Sequence, residues 1–409
     1  MPSDKKPHTV AVIGSGNWGS TIAKILAENT ASHPELFTPK VQMWVFEEQI
    51  QIPSDSPHYK RYGDKSQNLT EVINEVHENI KYLPGIKLPE NVVANPDLGD
   101  AVKDATILVF NLPHQFIEKT LSQMQGKCLP YARAISCVKG VDVSDGTVTL
   151  FSELIMEKLG IYCGSLSGAN IAPEVAAEKF SETTIGYDAP PMDLKAEDGS
   201  PSENRIKVDE QRQAKTKPTS VKLKRVPKEL VTVDGELLRT LFGRPYFHVN
   251  VLQDVAGVAL SGALKNVVAL ASGFVAGKEW GENGKAAVIR VGILEMVKFG
   301  RTWFPRSVDE KTFTEESAGI ADLVASCSAG RNFRCAKHAV EKGVSVDEIE
   351  QTEMNGQKLQ GTSTARSVHE FLEKHGKVDD FPLFSAVYGI LEGSTSVDSL
   401  PKLLDKRFS

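Results

Sequence analysis

Two polar side chains, Lys265 and Asn266, interrupt the stretch VAGVALSGALKNVVALASGFVAG at 255–277, whose other residues, serines apart, are small or apolar. As a helix this segment is buried on every side, and an ammonium inside it must find a partner or shift its pKa, because an isolated buried charge is very costly. A lysine so placed becomes a usable acid or base. If the helix turns a face outward here, Lys265 is instead an ordinary surface charge. Lys139 follows an apolar run and precedes Gly140, a place where a side chain reaches into a crevice at a strand's carboxyl end. GIADLVASCSAGRNFR, 319–334, sets Asp322 in an apolar helix and then presents Arg331 and Asn332 after a small-residue break. The planar guanidinium fork binds two phosphate oxygens at once. Asp322 reads equally as the partner of a catalytic lysine or as half of a structural salt bridge. The polar, glycine-bounded NGQKLQG, 355–361, either folds over a ligand or is a turn. Together these groups predict an electropositive cleft for a small anionic carbonyl compound. Nothing in the spacing calls for a metal.

A second kind of chemistry is written in TVAVIGSGNWGSTIAKILAEN, 9–29. Val10, Val12 and Ile13 read as a strand, and Ile22, Ala23, Ile25 and Leu26 recur at helical spacing, so Gly14, Gly16 and Gly19 fall where a strand feeds a helix. In a dinucleotide site the first glycine permits the turn, the second leaves room for a pyrophosphate, and the third lets the helix pack on its strand. The helix amides then face the anion. The next strand, VQMWVFEE at 41–48, ends in Glu47 and Glu48. An acid there suits the ribose of NAD and disfavours the phosphate of NADP, while a solvated loop is the alternative reading.

The elements that position these groups divide at about residue 250. Strand-like runs at 105–116, 132–142, 161–176, 180–188 and 246–254 alternate with helical patterns, which predicts a doubly wound α/β unit over 1–250. Beyond it, 251–409 reads as mostly helical. Between them, 188–229 is charged, proline-bearing and poor in large apolar residues; it reads as a solvated, flexible insertion whose basic half (Lys215, Lys217, Lys222, Lys224, Arg225, Lys228) is open to an acidic partner. The chain has 409 residues and a net charge of −6, with no long basic block, so its composition does not suggest a nucleic-acid surface. Five scattered cysteines without paired spacing, and an N-terminus with no apolar core, lead us to expect a reducing, cytosolic setting. The 255–276 stretch carries a central lysine and many glycines, and we expect no membrane span.

GSGNWGS, MWVFEE, HENIKYLPG, LPHQFI, KGV, GANIAPEVA, ETTIG, GALKNVVA, KAAVIR, GIADL, GRN and NGQKLQG stand in the order of their equivalents in the NAD-dependent glycerol-3-phosphate dehydrogenases of eukaryotic cytosol, which the chain resembles from about 9 to 395. The long insertion resembles fungal members. The resemblance implies a Rossmann domain followed by a helical domain like the C-terminal part of 6-phosphogluconate dehydrogenase, and a homodimer interconverting dihydroxyacetone phosphate and sn-glycerol 3-phosphate with NAD. It implies that Gly14, Ser15, Gly16, Asn17, Trp18 and Gly19 hold the pyrophosphate, and that Phe46, Phe116 and Ala172 line the cofactor pocket. Lys265 is implied as the catalytic lysine, with Lys139, Asn266 and Asp322 around the substrate. Ser326 stands where many members have threonine in the substrate site. Arg331 and Asn332 match the phosphate site, Arg331 touching the cofactor too, and Lys358 and Gln360 match a loop closing over both ligands. A related β-hydroxyacid dehydrogenase and a silent NADH-binding sensor or scaffold are the competing readings.

Overall fold

The computed structural model describes residues 5–144, 146–194, 203–207, 220–354 and 358–405. Eight strands form the main sheet: β1 (His8–Ile13), β2 (Phe37–Trp44), β3 (Val92–Asn95), β4 (Ile107–Phe110), β5 (Arg133–Ser136), β6 (Tyr162–Ser167), β7 (Ser181–Gly186) and β8 (Phe247–Leu252). Their order across the sheet is β8-β7-β6-β5-β4-β1-β2-β3. The six strands from β6 to β3 are parallel, whereas β7 is antiparallel to β6 and β8 runs with β7. Val10–Ile13 of β1 and all of β4 are buried runs of Val, Ile, Ala, Leu and Phe, as a sheet covered on both faces requires. Strand order reverses between β1 and β4. In open α/β sheets the ligand crevice lies outside the carboxyl ends of strands at such a point.

The helical part is built around α2 (Val255–Gly277), which packs against the helices Gly281–Trp303, Asp322–Ala329, Arg331–Lys342 and Gln360–Lys374. By length and composition α2 alone among the described helices is apolar enough to cross a membrane, but 94% of its apolar window is buried inside this protein. Two large apolar cores stand among the described residues, with a small third one of Ile25, Val175 and Phe247, and the second large core is not contiguous in sequence. Val141, Val148 and Leu150, from a hairpin of Val141–Ser144 with Thr147–Leu150, pack with the α2 cluster rather than with the sheet.

The 188–229 segment departs from its reading as a wholly solvated insertion. Residues 195–202 and 208–219, which include Lys215 and Lys217, lie outside the described residues, but both ends are parts of the core. Met192, Val221, Leu223 and Val226 are buried, and Asp193 accepts two hydrogen bonds from the fully buried Arg133 at 2.8 and 2.9 Å. Removing one partner of such a pair leaves an uncompensated buried charge, which costs about 3–5 kcal/mol. A low apolar count concealed this because every other residue of a strand suffices to fill one face.

Candidate active site

Strand β1 ends at Ile13 and α1 (Asn17–Ser32) begins four residues later, and the glycines between and just inside them differ in what surrounds them. Gly14 has φ +107°, and a Cβ there would lie 2.6 Å from the Asn111 carbonyl oxygen. At Gly19 a Cβ would lie 2.1 Å from the Gly14 oxygen, so the helix rests directly on the turn. Gly16 has nothing within 4 Å of its missing Cβ. Two glycines are thus closed off by the protein while the third faces open space, at a helix start with no side-chain cap and no acidic residue in its first turn. This is a cradle for an anion. The fully buried Asn79 fixes it from below, donating to the Ser15 carbonyl (2.7 Å) and the Ser20 hydroxyl (2.9 Å). Beside it, both polar atoms of the Asn111 amide are buried without a partner.

Phe46 and Phe116 follow β2 and β4, the two neighbours of β1, and are 72% and 52% exposed. Large apolar rings left in water on either side of the cradle offer faces for a planar base. Ala172 is joined to α1 through the Thr21 hydroxyl, which donates to the Ala172 carbonyl at 3.2 Å. Asn17 is exposed, and Trp18 packs edge-on against Phe247 and lies beside Cys137, two residues from Lys139. These residues fit a dinucleotide. The two glutamates read from sequence as ribose ligands have partners within the chain: Glu47 accepts from the Thr70 amide (3.2 Å) and hydroxyl at the start of Leu69–Val76, and Glu48 holds Tyr82 (2.7 Å) and Lys81. The start of that helix has no side-chain cap of its own, and Glu47 supplies the acceptor there.

The second group assembles from four places in the chain. Lys265, 4% exposed on α2, forms an ion pair with Asp322 Oδ1 and donates to the Ser326 hydroxyl at 2.8 Å. Lys139, in the loop after β5, lies 3.1 Å from Asp322 Oδ2, and Ser167 at the end of β6 donates to the same oxygen at 3.3 Å. Asp322 thus bridges both lysines. A π-helical turn, Ser317–Ala321, stands immediately before it, a backbone irregularity frequent at functional sites. Burial is the largest influence on Lys265 and drives its ammonium down from 10.5 to about 7; Asp322 opposes this, and the Lys139 charge adds to it. One carboxylate between two ammonium groups leaves an excess positive charge in a nearly dry site.

Asn266, next to Lys265, ties the cluster to the start of the Arg331–Lys342 helix. Its amide donates to the Gly262 carbonyl of its own helix (3.1 Å), and its oxygen accepts from Asn332 (2.9 Å). Asn332 in turn accepts from the Gly361 amide at 2.9 Å, and Gln360 donates to the Lys139 carbonyl. Arg331, beside Asn332 at the start of its helix, is exposed and makes no ion pair or hydrogen bond among the described residues. Lys358 is not brought to the cluster: it is exposed, and its ammonium lies 2.8 Å from Glu350 and 3.7 Å from Asp347. Residues 355–357 of the glycine-bounded loop are outside the described residues. Sequence reasoning missed Asn79, Asn111, Ser167 and Glu350. Asn79 lay in a quoted motif, but no spacing links any of the four to a distant partner.

Residues 9–192 match the family model described as NAD-dependent glycerol-3-phosphate dehydrogenase N-terminus, and 254–402 match its C-terminus. The chain belongs to the NAD-dependent glycerol-3-phosphate dehydrogenase family. Members from Candida glabrata and Saccharomyces cerevisiae are both 48% identical to it, over 98% and 99% of this chain and 88% and 92% of theirs. The solved glycerol-3-phosphate dehydrogenase of Saccharomyces cerevisiae superposes with a TM-score of 0.81 at 48% identity, covering 98% of this chain and all of the other. The Plasmodium falciparum glycerol-3-phosphate dehydrogenase gives 0.77 at 33%, over 97% and 95%. Membership makes this chain an NAD-dependent oxidoreductase.

Proposed function

We propose that the Lys265–Asp322–Lys139 cluster handles the proton in a reversible hydride transfer between NADH and dihydroxyacetone phosphate, giving sn-glycerol 3-phosphate. The observation that carries this reading is a buried lysine, lowered to about 7, bonded to a carboxylate that a second lysine shares. When bound, the nicotinamide supplies the hydride or accepts it. As hydride reaches C2 of the ketone, charge builds on the carbonyl oxygen. Lys265 gives that oxygen a proton, and the same amine removes it in the reverse direction. Lys139, part-exposed on the other side of Asp322, stabilises the developing negative charge. Asp322 orients both ammonium groups, and the Ser326 hydroxyl fixes Lys265 from a second direction. Arg331 binds the remote phosphate, where binding energy aligns the carbonyl. Asn266 acts by holding Asn332 at the same end, rather than by donating to the alkoxide. Gly14 to Gly19, with Phe46, Phe116 and Ala172, bind the cofactor, and Gln360 braces the Lys139 loop.

The family resemblance also supports a homodimer in the cytosol, which light scattering and cell fractionation test. The central test is NADH consumption with dihydroxyacetone phosphate, run beside unphosphorylated dihydroxyacetone and beside NADPH. Rapid turnover with the phosphate and NADH alone is expected. Tight NADH binding without turnover would overturn the reading and leave a silent cofactor-binding protein.

A further inference from the structure

We infer that Glu350 is a positioning residue for this reaction, a buried anchor that sets the Lys358–Thr362 segment so that it braces both halves of the site. Glu350 sits in the helix Val346–Glu353 and is completely buried. One carboxylate oxygen accepts from the Leu359 amide (2.9 Å) and from the Thr362 hydroxyl (2.7 Å). The other lies 2.8 Å from the Lys358 ammonium, an ion pair with a poor angle for a hydrogen bond. All three partners come from five consecutive residues. Arg366, the nearby guanidinium, is committed instead to Asp347 and Glu392. A buried carboxylate is a weak source of stability, and its partners identify what it specifies.

What it specifies lies between those partners. Gln360 donates to the Lys139 carbonyl, on the sheet side of the crevice, and the Gly361 amide donates to Asn332, on the helical side. The fit has no slack, since a Cβ at Gly361 would lie 2.7 Å from both the Asn266 carbonyl and the Asn332 side chain. Glu350 touches none of the reacting groups. Its influence passes through two hydrogen bonds, one to the Lys139 carbonyl and one to Asn332 beside Arg331.

The inference rests on the function proposed above, and the test separates the two. Glu350→Ala, checked for folding by thermal unfolding, is expected to lose about 100-fold in kcat/KM for dihydroxyacetone phosphate, the effect of misplacing a site by about an ångström. Glu350→Gln, whose amide oxygen still accepts from Leu359 and Thr362, is expected to recover most of that loss. A folded Glu350→Ala within threefold of wild type, or a Glu350→Gln as impaired as the alanine, would overturn the inference. Should the alanine variant not fold, Thr362→Val decides: about tenfold lower kcat/KM supports anchoring, and an unchanged value rejects it. If the wild type itself turns nothing over, the functional reading has failed. Amide exchange over 358–364 then decides, faster exchange in Thr362→Val supporting the anchor and equal exchange rejecting it.

Discussion

The glycine cradle and the lysine cluster stand at the same edge of the sheet but are made in opposite ways. The cradle is local: Gly14, Gly16 and Gly19 span six positions, and two of them touch backbone of their own turn or of the adjacent strand. The cluster is assembled from afar. Lys139 and Asp322 are 183 positions apart, Lys265 and Asp322 are 57 apart, and no short motif contains any two of these three. A phosphate needs only backbone amides and space, which a turn can supply. A lysine of lowered pKa needs a dry surrounding and a shared counter-charge, which only packed helices supply. Binding is therefore encoded in a turn, and proton transfer in the packing.

Variants that strike one side alone put this contrast to the test. Lys265→Ala carries the largest expected effect: kcat falls by about 10²–10⁴-fold, the range of general acid–base catalysis, while NADH affinity measured by fluorescence quenching stays near wild type. A matching loss of NADH binding would show that the two sites are not separable. Arg331→Ala is expected to raise KM for the phosphorylated substrate by about 10–100-fold, the worth of a charge-assisted hydrogen bond, with kcat nearly kept. An equal fall in kcat and kcat/KM would move Arg331 from uniform binding to the transition state.

The pH dependence sharpens the Lys265 assignment. With its proton leaving at about 7, ketone reduction, which needs the ammonium, is expected to fall about tenfold between pH 6 and 8, while alcohol oxidation, which needs the free amine, rises through the same window. Initial rates in both directions check this, and parallel profiles would reject Lys265 as the shared acid and base. Stability carries the same sign rule. The folded protein releases this proton near 7 and the unfolded chain holds it to about 10.4, so the lysine's penalty on folding is full at low pH and lifts as pH rises from about 7 to 10.

The smallest effects separate the glycines. Gly16→Ala meets open space and is expected to change unfolding free energy by less than about 0.5 kcal/mol, while weakening NADH several-fold. Gly19→Ala drives a methyl into the Gly14 carbonyl and is expected to destabilise by about 1–3 kcal/mol, read by denaturant unfolding. If Gly16→Ala binds NADH as the wild type does, the open cradle is not the phosphate site.

The degree of legibility follows from this contrast. The β1–α1 turn, the alternation that makes the sheet and the buried α2 helix could all be read from local patterns, because period-two, period-3.6 and glycine signals are carried by neighbouring residues. The lysines, Asp322 and Arg331 stood out by their local surroundings, and the family motifs then implied their roles. What stayed hidden was pairing. Glu47 and Glu48 have the type and place of ribose ligands, yet they were taken by Thr70, Lys81 and Tyr82. Lys358 sits in a loop that reads as a lid, yet Glu350 holds it. Asp193 lies in a stretch that reads as solvent, yet it neutralises a buried arginine.

Local sequence patterns set the strands of the sheet, the buried helix around Lys265, the helix start at the glycine turn, and which residue types are available for an anionic carbonyl substrate. The tertiary structure decided which charges meet. A side chain's type states what it can bind, but the partner is chosen by whichever charge or uncapped helix end the fold brings within about 3 Å, and the same packing removes the water that would otherwise keep Lys265 an ordinary base.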